Sequence, residues 1–383
     1  MEKLAVDGGE PVSPKKISIA KPIISPEVLG EIREILESGQ LRQGQKVKKF
    51  ETLFAEKVGA GYAYAVCNGT AALHTAYLST LKPGDEVIVP SFTFLATASM
   101  VYYSMARPVF ADIDPDTFLI DLEDVKKKIT PRTRAVVPVH LFGNAADIQG
   151  LRDLCEDHSL ALIHDSAQAH GTRYGGRDVG SYDDLGCYSF YPSKTLTTGE
   201  GGMVTTNDEG LYRAGTLLRA HGDDGRYHHV AMGFNYRLTE IAAVLGIDQM
   251  RQFDGFLKRR KECGGYLRKN IGRIDGLHPQ RATPKADHSY SYFSLTMDTE
   301  KYRCTRDQFL RALAAENIDC AVHYPKPLTG QPIVKEKLDP APCPVSEDVS
   351  MRILSLPMHP ALTDEDLKLI VAGVEKVAGH YLK

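Results

Sequence analysis

Short apolar runs alternate with helix-period segments through the first half of the chain, and this alternation sets the expected fold. Between residues 60 and 210 the spacing predicts strands over Ala63–Cys67, Glu86–Val89, Pro108–Ile113, Thr133–Leu141 and Leu160–His164. Helical patterns over Ala71–Leu81, Phe94–Met105, Leu122–Ile129 and Ile148–His158 separate them, and Pro83-Gly84-Asp85 is a turn signal. Strands joined through helices in this way form βαβ units of a largely parallel sheet covered on both faces. Ligands in such sheets sit beyond the carboxyl ends of the strands. After Gly186 the rhythm changes: Cys187–Tyr191 and Gly202–Thr206 read as two strands with a loop between them. Thr239 to Asn270 is one long helical stretch, able to link two units. Beyond Ile274 the pattern predicts a smaller α+β unit, with a strand over Tyr290–Met297 and helices over Arg306–Ala315 and Glu365–Leu382. Near the start, Pro26–Leu36 reads as a short helix capped by Ser25, with Pro26 at its first position. The expected fold class is α/β. A large unit spans residues 1–255, N-terminal segment included, and a smaller one spans residues 256–383.

The 383 residues suit that division, and 43% apolar with 25% charged residues is ordinary for a soluble globular protein. A net charge of −3 gives no sign of a nucleic-acid or membrane surface. The seven cysteines are scattered and odd in number, with no paired spacing that would hold a metal. Free thiols in a reducing, cytoplasmic setting are expected. Met1–Lys15 contains no apolar core of signal-peptide length, and no apolar run is long enough to span a membrane. There is no internal repeat.

Three segments carry candidate chemistry. Asn68-Gly69-Thr70 lies between a strand and a helix, where free N–H groups suit a phosphate, although on this segment alone ordinary turn and capping use is the commoner reason for such residues. Asp165, in His164–Gly171, follows a buried strand. It is either a helix cap or the partner of a buried positive charge, such as a protonated pyridine nitrogen. Lys194, in Ser189–Lys194, sits in a loop between two strands beside Gly199-Glu200-Gly201-Gly202. Most lysines are solvated surface groups; one that forms a Schiff base needs desolvation or a neighbouring cation.

Taken in order, Asn68-Gly69-Thr70, Pro90–Phe94, Asp165–Gly171, Ser189–Lys194, Gly199–Gly202 and Gly233–Arg237 resemble the DegT/DnrJ/EryC1/StrS aminotransferases, across Lys21 to Val377. The resemblance implies a fold-type-I transferase, like aspartate aminotransferase, that uses pyridoxal 5'-phosphate (PLP) to aminate nucleotide-linked keto sugars. It implies that Lys194 carries the cofactor and shuttles a proton, and that Asp165 faces the ring nitrogen. Gln168 would bond the 3-hydroxyl, with Phe94 stacked on one ring face and Ala167 against the other. Gly69, Thr70 and Ser189 would cup the phosphate. Asn235 would reach that phosphate, and Arg237 the substrate, from the partner of a homodimer. His323 and Tyr324 resemble a substrate-contact pair, and ordinary packing at a strand end accounts for them equally well. His140 and His359 are expected in supporting roles, and Glu200 as a residue that orients the loop.

L-glutamate is the amino donor that the resemblance implies, in a ping-pong exchange. Thr197–Gly202 and Gly233–Arg237 resemble enzymes aminating C4 of 4-keto-6-deoxy sugars, which is slightly favoured. Arg226–His229, His323–Pro325 and Leu356–Pro360 resemble enzymes aminating C3 of 3-keto uronic-acid sugars. Amination of a cyclitol ketone or formation of an aminobenzoate is a further enzymatic reading, and a PLP-binding regulator without turnover a non-enzymatic one. Sugar dehydration is disfavoured, because relatives that do it carry histidine in place of the lysine at 194.

Overall fold

A seven-stranded sheet carries the large unit. The structure, a computed structural model, describes residues 3–182 and 185–383. The strands are β1 Tyr62–Val66, β2 Glu86–Pro90, β3 Arg107–Ala111, β4 Thr133–Val136, β5 Ala161–Asp165, β6 Leu185–Ser189 and β7 Gly202–Thr206. Their order across the sheet is β1-β7-β6-β5-β4-β2-β3. All neighbours are parallel except β7, which runs antiparallel to both β6 and β1. Burial on both faces explains the continuous apolar runs. Val87 and Val89 pack with Ala72 and Val101 on one face, while Ile88 between them packs with Val125 and Leu151 on the other. The covering helices are α1 Val28–Ser38, α2 Gln45–Val58, α3 Gly69–Thr80, α4 Ala96–Tyr103, α5 Leu122–Lys128, α6 Ile148–His158, α7 Glu209–Arg219 and α8 Glu240–Ile271.

Helix α3 lies nearest the sheet's centre, buried along Ala71–Tyr77, which is why it reads as apolar all round. Helix α8 starts on Thr239, whose side chain accepts from the N–H of Ala242 at 3.2 Å. Its 32 residues reach about 48 Å. It crosses α2 so closely that a Cβ on Gly246 would stand 2.7 Å from the Phe50 ring.

The smaller unit holds an antiparallel sheet of β8 Leu277–Pro279, β9 Phe293–Met297 and β10 Ile353–Leu356. Its core joins Leu295, Phe309, Leu354 and Leu356 with Leu367, Ile370 and Val374 of the C-terminal helix, Asp364–Tyr381.

Several expectations need correction. Leu4 and Ile17 lie in the smaller unit's core, while Ile23 and α1 pack on the large unit and the start of α8. The buried Glu316 carboxylate accepts from the N–H groups of Ala5 (2.9 Å) and Val12 (2.8 Å). A boundary after residue 255 falls inside α8, which runs on unbroken to Ile271. Ser25 does not cap the first helix through its side chain; that helix begins at Val28, and the Ser25 N–H is turned to Asp248 instead. The strand expected to reach Leu141 ends at Val136, and Leu141–Gly143 forms a tight turn with Phe142 at a φ of 65°. The turn aims the Phe142 N–H at Gln168. Helix α2, with apolar Val47, Phe50, Phe54 and Val58 on one side, was not anticipated. Nor was α7, capped by Asp208.

Candidate active site

Strand β5 delivers Asp165 to the carboxyl edge of the sheet. Its side chain is 4% exposed. Thr97 Oγ1, on α4, donates to one carboxylate oxygen at 2.8 Å, and the Ala167 N–H donates to the other at 3.1 Å. Burial pushes this carboxyl up, while Thr97, Ala167 and the charge of Lys194 pull it back down. Among the described residues no helix follows directly on Asp165, so it caps none; its carboxylate is instead buried and held by Thr97 and Ala167. Behind it, His140 Nε2 and His164 Nδ1 stand 3.0 Å apart in a stacked pair, and the His140 N–H bonds the Asp165 carbonyl. His140 Nδ1 accepts from the Ala146 N–H, so the ring is neutral, and burial next to His164 holds it well below the usual histidine range.

The start of α3 serves two purposes. Asn68 caps it, accepting from the Ala71 N–H at 2.8 Å. The half-buried Gly69 and Thr70 lie at the helix's positive end, which suits an anion. Glycine is required at 69 because an added Cβ would sit 2.6 Å from Ser189 Cβ. The end of β6 and the start of α3 thus form one cradle that a side chain would fill.

Lys194 follows from the loop joining β6 to β7. The loop is bound to itself: the Phe190 carbonyl accepts from the Thr198 N–H and from Thr197 Oγ1, both at 3.0 Å. The half-buried Lys194 makes no side-chain hydrogen bond or ion pair among the described residues. Its Nζ lies 5.8 Å from the Tyr292 ring centre, and its charge is felt at Asp165, His170 and His323. Glu200 is exposed, and its carbonyl accepts from Thr198 Oγ1 at 2.7 Å within this loop.

Gln168 is fixed at both ends, accepting from the Phe142 N–H at 2.9 Å and donating to the Tyr324 hydroxyl at 3.0 Å. Phe94 is 58% exposed, with its ring 6.3 Å from that of Tyr324. Ala167 is half-buried beside Asp165. His323 packs on Tyr292, ring centres 4.6 Å apart, with Nδ1 3.3 Å from Ser355 Oγ. Burial, helped by Lys194, holds His323 down to about 4. Asp165, Gln168, Lys194, His323 and Tyr324 therefore form one cluster. The Arg237 backbone bridges to Val66, at the end of β1 just before the Asn68–Thr70 cradle, and that of Asn235 to Ala220. Neither side chain has a hydrogen bond or ion pair among the described residues. His359 bonds the Ser18 carbonyl at 3.1 Å, a supporting contact. Sequence reasoning missed Thr97 and Tyr292. Neither belongs to a motif, and only the fold brings them to Asp165 and Lys194.

A buried acid, a lysine amine without a hydrogen-bond partner, an amide fixed from both sides and a glycine-lined anion cradle fit a phosphorylated pyridine aldehyde. With the fold, they match a PLP-dependent enzyme of fold type I, and the relatives narrow this to a sugar aminotransferase. The chain belongs to the DegT/DnrJ/EryC1/StrS aminotransferase family, whose model matches residues 22–375. It is 34% identical to the GDP-perosamine synthase of Escherichia coli O157:H7, covering 93% of this chain and 98% of that protein. It is 36% identical to the UDP-N-acetyl-3-dehydro-alpha-D-glucosamine 3-aminotransferase of Acidithiobacillus ferrooxidans, covering 91% and 93%. Among solved structures, Helicobacter pylori PseC, an aminotransferase involved in the biosynthesis of pseudoaminic acid, superposes with a TM-score of 0.90 at 29% identity, covering 96% of this chain and 100% of that one. Among the described residues, no helix is long and apolar enough to cross a membrane, and no group of acidic, histidine or cysteine side chains could hold a metal ion.

Proposed function

We propose that this enzyme moves an amino group from L-glutamate to the keto carbon of a nucleotide-linked sugar, with Lys194 as the catalytic residue. The observation that carries the reading is the Lys194 amine, without a hydrogen bond, on the same sheet edge as the buried Asp165. PLP, when bound, supplies an electron sink for the bond to the amine-bearing carbon. Asp165 would hold the ring nitrogen protonated through a charge-assisted hydrogen bond, with Thr97 and Ala167 keeping the carboxylate in place. Gln168 would meet the 3-hydroxyl, and its bond to Tyr324 ties that contact to the substrate side. Gly69, Thr70 and Ser189 would take the phosphate, and Phe94 and Ala167 the two ring faces. Lys194 takes a proton from the donor carbon and returns one to the acceptor carbon as the sequence runs backward on the sugar.

The aromatic lining of Phe94, His323 and Tyr324 suits a sugar and its nucleotide. A 4-keto-6-deoxyhexose is the favoured acceptor, in keeping with the perosamine synthase relative. The 3-dehydro-glucosamine relative, at 36% identity, supports a 3-keto sugar as the second reading. We also place Asn235 and Arg237 in the partner's site of a homodimer. Phe94, Tyr103, Met105, Tyr227 and Met232 are exposed apolar side chains of the kind such an interface covers. The test is incubation of the loaded protein with L-glutamate and nucleotide-linked 4-keto-6-deoxy and 3-keto sugars in parallel, followed by mass spectrometry. Conversion of one ketone to the amine, with 2-oxoglutarate released in equal amount, supports the reading; no amination of either sugar would overturn it.

A further inference from the structure

Tyr292 has no role in the chemistry above, yet the lysine loop rests against it. It precedes β9 in the smaller unit, whereas Lys194 belongs to the β6–β7 loop of the large one. Its hydroxyl stands 2.8 Å from Ser193 Oγ, and its ring centre 5.8 Å from Lys194 Nζ. It is held from two sides. Arg260, 3% exposed on α8, donates through Nη1 to the carbonyls of Tyr290 (3.1 Å) and Ser291 (3.2 Å), which fixes the backbone leading into Tyr292. The His323 ring packs against the phenol, and Tyr292 also lies 6.0 Å from Phe142 at the turn that serves Gln168.

An ammonium at this distance from a phenol ring is attracted by the ring's quadrupole, more strongly where water is excluded. Asp165 is the competing attraction, since Lys194 is within its electrostatic reach. A cation held by that carboxylate would weaken the competition, leaving the Tyr292 ring as a seat for the amine.

We propose that Tyr292 is a positioning residue for Lys194: its hydroxyl pins the lysine loop through Ser193, and its ring seats the Lys194 amine whenever that amine is free of the cofactor. The proposal rests on Lys194 being the cofactor lysine. A fixed seat keeps the amine within reach of the carbon whose proton it moves, which is an advantage of orientation. It also ties the lysine's position to the smaller unit.

The test compares the unaltered protein with Tyr292→Leu, Tyr292→Phe and Ser193→Ala. Three readouts are taken: the rate at which apo-protein captures PLP, the single-turnover reaction with L-glutamate, and the melting temperature. Tyr292→Leu is expected to slow both capture and the single-turnover rate constant by about threefold to thirtyfold, with the glutamate concentration for half-maximal rate unchanged. Tyr292→Phe keeps the ring and loses the pin, so it should recover most of the rate and match Ser193→Ala. If all three variants capture cofactor and turn over once at the unaltered rates, the proposal is overturned, even where melting temperature falls, because Tyr292 is then packing alone. Should Tyr292→Leu fail to fold, Tyr292→Met, which also removes the ring, takes its place: slowed capture and single turnover support the seat, and unaltered rates overturn it. Failure of the underlying assignment looks different, since the unaltered protein would then form no visible band with PLP.

Discussion

Replacing Thr97 by valine keeps the shape of a buried side chain and removes the hydroxyl that serves Asp165. Thr97 Oγ1 lies 2.8 Å from the Asp165 carboxylate and 3.1 Å from Thr93 Oγ1. A hydroxyl has one proton, and the carboxylate takes it, so Thr93 donates to Thr97 in turn. Valine therefore strands a charged acceptor and a neutral donor. A hydrogen bond to a charged group contributes about 1.5–3 kcal/mol, equivalent to about one to two units of carboxyl pKa. Asp165 is already raised by burial, and Thr97 is the strongest group pulling it down. An acid whose folded pKa lies above its unfolded value opposes folding once it ionises. That penalty is absent below the unfolded value and complete above the folded one. Thr97→Val raises the folded value further. Its extra charge-linked cost should therefore be near zero at about pH 3.5, below the ordinary aspartate value, and should rise with pH toward about 1.5–3 kcal/mol above the variant's folded value. The stranded Thr93 hydroxyl adds a cost that does not vary with pH. Urea unfolding of apo-protein at several pH values measures the difference. A Thr97→Val destabilisation that is the same at both ends of the range would refute the claim that this hydroxyl supports the charged form of Asp165.

Gly69→Ala places a Cβ 2.6 Å from Ser189 Cβ, so strand end and helix start must part; affinity for PLP by equilibrium dialysis should fall by about tenfold or more, the loss of one charge-assisted bond, while the fold persists by circular dichroism. Arg260→Met removes a buried cation bonded to the carbonyls of Tyr290, Ser291 and Met358; stranding these acceptors should cost about 3 kcal/mol or more in urea unfolding, and a loss under 1 kcal/mol (about the worth of one ordinary hydrogen bond) would show that the clamp is dispensable. Tyr324→Phe breaks the bond to Gln168 and leaves the ring; the visible spectrum of bound cofactor should shift while melting temperature moves little, and an unchanged spectrum would separate Tyr324 from the cofactor side of the site.

The strand–helix alternation of residues 60–210 was legible because parallel strands buried on both faces leave unbroken apolar runs, as in Glu86–Pro90. Boundaries held where a cap residue marks them, as Thr305 does for the helix Arg306–Ala315 with its capping box. The docking of Leu4 and Ile17 in the smaller unit was not legible because the contacts are remote: Glu316 receives Ala5 and Val12 across more than three hundred positions of sequence. Pattern reading cannot see such pairings. Lys194, Asp165 and Gln168 came from motifs, and the structure brings them together. Thr97 and Tyr292 lie in segments whose local pattern says only helix or strand, and their proximity to the charged groups arises from packing alone. Asn235 and Arg237 have no side-chain hydrogen bond or ion pair among the described residues, and their proposed role awaits a partner chain that a single sequence pattern does not display.

The most direct test of the central claim is the visible absorption of the purified protein with PLP, before and after L-glutamate, beside Lys194→Ala. The account predicts a visible band in the unaltered protein, its loss to the amine form of the cofactor on adding glutamate, and no lysine-bound band in Lys194→Ala. A protein that stays colourless with PLP, or a Lys194→Ala variant with the same band, would contradict it.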